Sequence, residues 1–161
     1  MQHRQQREIV QLNIRRVAKE DTERISALYK QLGYAISKEQ LRARVDMLVA
    51  SKEHALYLAE LPDGELAGWI HAYIGIALYI DPVIFVRELI VDREMRYIGA
   101  EQALLQVIEQ WAREQACSAI FLWSETLQQK DPRFYHGFGY SLQSSQVLRK
   151  LLTAPDIRVL H

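Results

Sequence analysis

Glu88 stands three residues short of the end of a largely apolar run, Val83 to Val91 (VIFVRELIV), that breaks at DREMRYIG and resumes as the amphipathic segment AEQALLQVIEQW. A carboxylate there can face a cleft and take up a proton, directly or through one water. Equally it can be a strand carboxylate satisfied by Arg87 or Arg93. The break itself offers different chemistry. A strand that feeds a helix through a glycine turn aims free backbone N–H groups and the positive end of the helix dipole at one spot, and that spot suits a phosphate. Glu101, in the first turn of the segment, complements the dipole when no anion is bound and opposes an anion when one is.

Two histidines, His71 and His136, belong to the class whose charge changes near neutrality. Within an apolar strand His71 serves equally as a structural hydrogen-bond donor, and His136 falls on the outer face of a short helix. Cys117 lies at a helix-to-strand junction with no histidine near it in sequence, which favours packing over a catalytic thiol. Being a single cysteine, it forms neither an intrachain disulfide nor a metal cluster by itself.

The elements that must position these groups follow from periodicity. Ile9 to Val17 alternates as a first strand. Asp21 then caps a helix with Ile25, Leu28, Tyr29 and Leu32 on one face and Gly33 at its left-handed end. Ser37 and Gln40 have capping-box spacing before a second helix, with Leu41, Val45, Leu48 and Val49 as its apolar face. His54 to Glu60 and Leu66 to Tyr73 pair as a hairpin around the LPDG turn, and a further strand runs from Val83 to Val91. Leu104, Leu105, Ile108, Trp111 and Ala112 have the period of a helix packed on a sheet. Ser118 to Trp123 reads as a buried strand, Asp131 to His136 as a short helix, and Tyr140 to Leu151 as a last strand. The order β-α-α-β-β-β-α-β-α-β predicts an α/β fold of the α+β mixed-sheet kind, with hairpins on one side and a crossover helix on the other. One domain is expected, with its core over residues 9–152 and peripheral tails at 1–8 and 153–161.

Composition bounds the function classes. Of 161 residues, 49% are hydrophobic, ample for one core. The formal net charge is zero, so no cationic excess argues for wrapping nucleic acid. The N-terminus is too polar for a secretory signal and no apolar run approaches the ~20 residues of a membrane helix. A cytoplasmic protein without membrane or nucleic-acid partner is the expectation.

Three features together resemble the GNAT superfamily of N-acetyltransferases, over roughly residues 12–150. The stretch VDREMRYIGAEQALL is similar to that family's acetyl-CoA loop, with Arg96 and Gly99 in step. PRFYHGFGY, from Pro132 to Tyr140, resembles the family's short helix and turn, with Phe134, Tyr135, Gly139 and Tyr140 in step. The opening strand with Arg15 and Arg16, its following helix and the DGELAGW hairpin come in the expected order. Glu101 departs from the pattern, because the family places a small residue there.

The resemblance implies acetyl-CoA as cosubstrate, with no metal, and a primary amine of a small molecule or peptide as acceptor. A splay beyond Ile90 and Val91 on one strand and Ser124 after the other would admit the pantetheine arm, with Ser124 and Thr126 offering hydroxyls to its amides. Arg96 and the backbone N–H groups of Tyr97, Ile98, Gly99, Ala100, Glu101 and Gln102 would hold the pyrophosphate. Tyr135 would bind at the sulfur and protonate the departing thiolate, and Glu88 would serve as base. Trp69, Tyr73 and Tyr79 can line an acceptor pocket or pack a core or a homodimer. The alternative reading is a binding or regulatory module of the same fold, its acetyl-CoA site weakened by Glu101.

Overall fold

The computed structural model describes residues 10–123, 133–143 and 148–152. Strand β1 spans Asn13–Arg16, and after a 3-10 turn at Lys19–Asp21 come helices α1 (Thr22–Gln31) and α2 (Lys38–Ala50). Strands β2 (His54–Glu60), β3 (Leu66–Gly75) and β4 (Val83–Val91) follow, then a 3-10 turn at Arg93–Met95 and helix α3 (Ala100–Glu114). Strand β5 (Ile120–Leu122) and the single turn of α4 (Arg133–His136) complete the described elements. The strands form one sheet in the order β1-β2-β3-β4-β5. The first three pairs are antiparallel and β4 runs parallel to β5, so the crossover helix is α3. This is the mixed α+β architecture expected from the sequence.

Local signals placed most boundaries. Ser37 Oγ accepts from the Gln40 N–H at 3.1 Å and the Gln40 side chain accepts from the Ser37 N–H, which closes the capping box of α2. Gly33 takes φ +83° just beyond α1. Several expectations change. Asp21 does not cap α1; its carboxylate accepts the Ala18 N–H at 2.8 Å and the guanidinium of Arg15. Arg15 and Arg24 also reach Glu60, so a buried acidic pair and two arginines clamp α1 to β1 and β2. Val49 is 38% exposed, because Leu41, Val45 and Leu48 already fill the contact of α2 with the sheet. Residues 140–143 and 148–151 of the expected last strand carry no strand, and 144–147 lie outside the described residues.

The sheet separates two apolar layers. On one face α3 buries Leu104, Leu105 and Ile108 against Ile70, Ile84, Val86 and Leu89. On the other, α1 and α2 bury Ile25, Leu28, Leu41 and Val45 against Leu56, Leu58, Trp69 and Ile90. Each fully buried side chain of this size contributes roughly 1.5–3 kcal/mol relative to exposure. The β3–β4 register pairs His71 with Glu88 and Ala72 with Val86, leaving Arg87 as an extra residue on β4. Val86 and Leu89 therefore share the α3 face, while Phe85, Glu88 and Ile90 take the other.

Candidate active site

Glu88 lies half-buried on the α1/α2 face of β4. Its Oε2 accepts the Tyr29 hydroxyl, from α1, and the Trp69 Nε1–H at 3.2 Å, from β3. Among the described residues both hydrogen bonds to this carboxylate fall on Oε2, and Oε1 takes none. The Tyr29 and Trp69 rings meet edge-on with centroids 4.8 Å apart, so the donors brace each other. Burial, followed by the charge of Glu88 and the bond to it, pushes the Tyr29 hydroxyl far above the ordinary phenol range, so it remains a donor. Trp69 is only 3% exposed, and it joins the buried core while orienting the carboxylate.

His71, opposite Glu88 in register, approaches His54 of β2 with its Nε2 3.0 Å from Nδ1. Burial, above all, lowers its pKa to about 4, with the nearby carboxylate of Glu88 opposing and His54 and Arg87 assisting. His71 is accordingly neutral near pH 7 and one ring of the pair donates to the other. His136 is exposed on α4, and Tyr79 is 88% exposed on the β3–β4 loop, so neither joins this cluster. Cys117 is half-buried, and burial raises its thiol pKa, the reverse of an activated nucleophile.

The second half of the candidate site lies at the C-terminal end of β4. The parallel pairing of β4 with β5 covers Ile84–Ile120, Phe85–Phe121 and Val86–Leu122. Beyond Val86 the described residues give β4 no partner on this side, while β3 stays paired with it through Glu88, Ile90 and Val91 to the loop. Ile90 and Val91 are 4% and 2% exposed, so their side chains belong to the two cores. The loop is shaped by two left-handed residues. Tyr97 has φ +76° and Gly99, the residue before α3, has φ +90°. Glycine adopts this without cost, whereas Tyr97 accepts strain of about 1 kcal/mol or more. No side chain caps α3, and its first internal bond runs from the Ala103 N–H to the Gly99 carbonyl at 3.0 Å. The N–H groups of Ala100, Glu101 and Gln102 thus have no acceptor inside the helix, as an anion cradle requires. Arg96 is half-buried beside it, Ile98 packs on the α3 core, and the Tyr97 ring stands in solvent.

Tyr135 is 4% exposed, packed in the α3-side core with its ring edge-on to Phe134 and Tyr140. Burial and, after it, the charge of Glu101 push its hydroxyl well above the ordinary phenol range. Glu101 is therefore near enough to act on Tyr135; it is half-buried, with Oε2 shielded from solvent. The two candidate proton-transfer groups sit on opposite faces: Glu88 faces α1 and α2, and Tyr135 packs with α3. Ser124 and Thr126 lie outside the described residues. Tyr29 and His54 escaped the sequence reading. Each occupies an ordinary periodic position, and only pairing over 59 residues for Tyr29–Glu88 and 17 for His54–His71 reveals them.

Residues 19–140 match the acetyltransferase (GNAT) family. The chain belongs to that family. No curated protein sequence matches it at a significant level. Solved structures similar to it include an aminoglycoside antibiotic 6'-N-acetyltransferase from Acinetobacter baumannii, 20% identical with TM-score 0.75, over 88% of this chain and 98% of that one. Another is glucosamine-6-phosphate N-acetyltransferase from Arabidopsis thaliana, 18% identical with TM-score 0.74, over 87% and 98% of the two chains. A transcriptional regulator from Bacillus halodurans is 15% identical with TM-score 0.76, over 88% and 100%. At these identities the likeness establishes the fold.

Proposed function

We propose that this chain transfers the acetyl group of acetyl-CoA to a primary amine of a small molecule or peptide. The observation that carries this reading is the uncapped α3 N-terminus, set behind two left-handed residues at the end of β4. That cradle is where a pyrophosphate can lie, and a strand-like pantetheine arm would run from it along the end of β4. An alkylammonium, with pKa ~10.4, must shed a proton before its nitrogen attacks the thioester carbonyl. Glu88 supplies that acceptor through Oε1, directly or through one water, with Tyr29 and Trp69 fixing its orientation. The new C–N bond forms, the C–S bond breaks, and the thiolate leaves with a proton from the Tyr135 hydroxyl.

A second reading rests on Glu101. A unit negative charge ~5 Å from a phosphate charge costs roughly 3 kcal/mol at an effective dielectric near 20, about two decades in affinity. With Glu101 half-buried and not turned wholly into solvent, the same fold could serve as a binding or regulatory module that has lost acetyl-CoA. That a transcriptional regulator shares the fold keeps this class in view.

Calorimetric titration of acetyl-CoA and CoA at moderate salt separates the two. Micromolar binding, strengthened in Glu101→Gly, supports the transferase. Absence of binding in the native chain, restored by Glu101→Gly, sinks it in favour of a lapsed site.

A further inference from the structure

The face of the sheet that carries Glu88 is aromatic beyond the residues that α1 and α2 bury. Tyr73 of β3 lies against Phe85 of β4, with ring centroids 5.5 Å apart and planes inclined by 34°. Phe85 in turn meets Phe121 at 5.4 Å and 31°, and stacks on Trp123 at 5.7 Å and 11°. The four rings form an aromatic shelf on this face, with Tyr73 and Phe121 tilted against Phe85 and Trp123 stacked on it. The shelf is reachable: Phe121 is 38% exposed, and Tyr73, Phe85 and Trp123 are half-buried. Gly75 is part of its construction, because a Cβ there would sit 2.4 Å from the Phe85 ring.

Charge is arranged to match. Because of the extra residue at Arg87, Phe85 and Glu88 occupy the same face of one strand. Glu88 is anchored through Oε2, and its Oε1 takes no hydrogen bond among the described residues. A carboxylate oxygen with spare acceptor capacity, on the same face as half-buried aromatic rings, complements an ammonium on a short arm joined to a flat apolar body. It complements a polycation poorly, since further ammonium groups would be desolvated against rings without a carboxylate partner.

We infer that the acceptor face selects primary amines carrying an aromatic body, the ammonium meeting Glu88 and the ring lying on the Phe85 shelf. This inference rests on the transferase reading for its chemistry, but not for its binding. Arylalkylamine recognition is therefore measured by calorimetry in the presence and absence of CoA. Phenethylamine is compared with n-butylamine, spermidine and the aminoglycoside kanamycin, and acetyl transfer is followed by thiol release.

Phenethylamine is expected to bind roughly tenfold tighter than n-butylamine, the gain of one stacked ring, and tighter than both polycations. Glu88→Gln should weaken all the amines, whereas Phe85→Ala should erase the preference for the ring. Should Phe85→Ala fail to fold, Phe121→Ala at the exposed sheet edge provides the same test with a smaller loss. Equal or tighter binding of spermidine or kanamycin overturns the inference, as does a ring preference unmoved in both variants. So does a dimer in sedimentation velocity whose dissociation is needed for phenethylamine to bind, because a second copy would then be the shelf's occupant. Amine binding without CoA binding leaves this inference standing and removes the transferase reading; CoA binding and turnover of n-butylamine without ring preference does the reverse.

Discussion

Tyr29, on α1, donates its hydroxyl to Oε2 of Glu88, on β4, and thereby ties the helix that covers one face of the sheet to the carboxylate proposed as base. A hydrogen bond to a charged acceptor typically contributes 1.5–3 kcal/mol. Tyr29→Phe is expected to lower stability by about 1.5 kcal/mol in urea unfolding. Because the bond also aims Glu88, acetyl transfer should fall roughly tenfold or more while affinity for CoA is unchanged. Unaltered turnover in a folded Tyr29→Phe protein would remove the positioning role.

His71 makes stability depend on mild acid. Its pKa is lowered from 6.5 to about 4, so folding favours the neutral ring. The contribution is complete above the unfolded pKa and is lost as pH falls from about 6.5 toward about 4, at most ~3 kcal/mol. His71→Gln should flatten the stability profile across that window. A profile identical to that of the native chain would refute the assignment.

A further acid-sensitive step belongs to the clamp on α1. Hydrogen bonding to Arg15 holds Asp21 below the usual carboxylate range, against its burial. Burial works against the charge of Glu60, yet the hydrogen bonds from Arg15 and Arg24 outweigh it and hold Glu60 low as well. Both contributions are present above the ordinary carboxylate range and vanish as pH falls below it. Arg15→Ala leaves both carboxylates to Arg24 alone; because the Arg15 side chain is 36% exposed and Arg24 remains, the expected loss is about 2 kcal/mol, short of the ~3–5 of a fully buried pair. Thermal unfolding at neutral and at acid pH, where the difference should shrink, checks it.

Tyr97 bears strain that glycine would not. Tyr97→Gly is expected to raise stability by up to about 1 kcal/mol, less the backbone entropy that glycine adds to the unfolded chain. Its ring is 88% exposed, so no packing is lost. A lower melting temperature in this variant would show that the ring has a contact in solution.

How much of this was legible in sequence depends on range. The end of β2 and the capping of α2 stand at residues whose neighbours along the chain decide them: the LPDG turn, and Ser37 with Gln40. The parallel partner of β4 and the loop before α3 were legible as well, because Arg96 and Gly99 are spaced as the family spaces them. Glu88 could be nominated, but its partners could not. Arg87 and Arg93 were the expected neighbours, being close in sequence, whereas the hydrogen bonds come from Tyr29 and Trp69 across the sheet. Asp21 misled for the opposite reason. A short acidic residue before a helix looks like a cap, and nothing local announces that Arg15 and Ala18 will claim its oxygens.

The extra residue at Arg87 has a bearing on how this strand tolerates change. Side chains before it and after it obey opposite sequence parities, and its deletion would leave a regular ladder in which Val86 opposite Ala72 is followed directly by Glu88 opposite His71, so Glu88 and Ile90 would keep their face and Leu89 and Val91 theirs. What reverses the faces is a register in which Arg87 itself pairs. A β4 that set Arg87 opposite His71 would keep its entire composition and place the carboxylate of Glu88 inside a hydrocarbon layer.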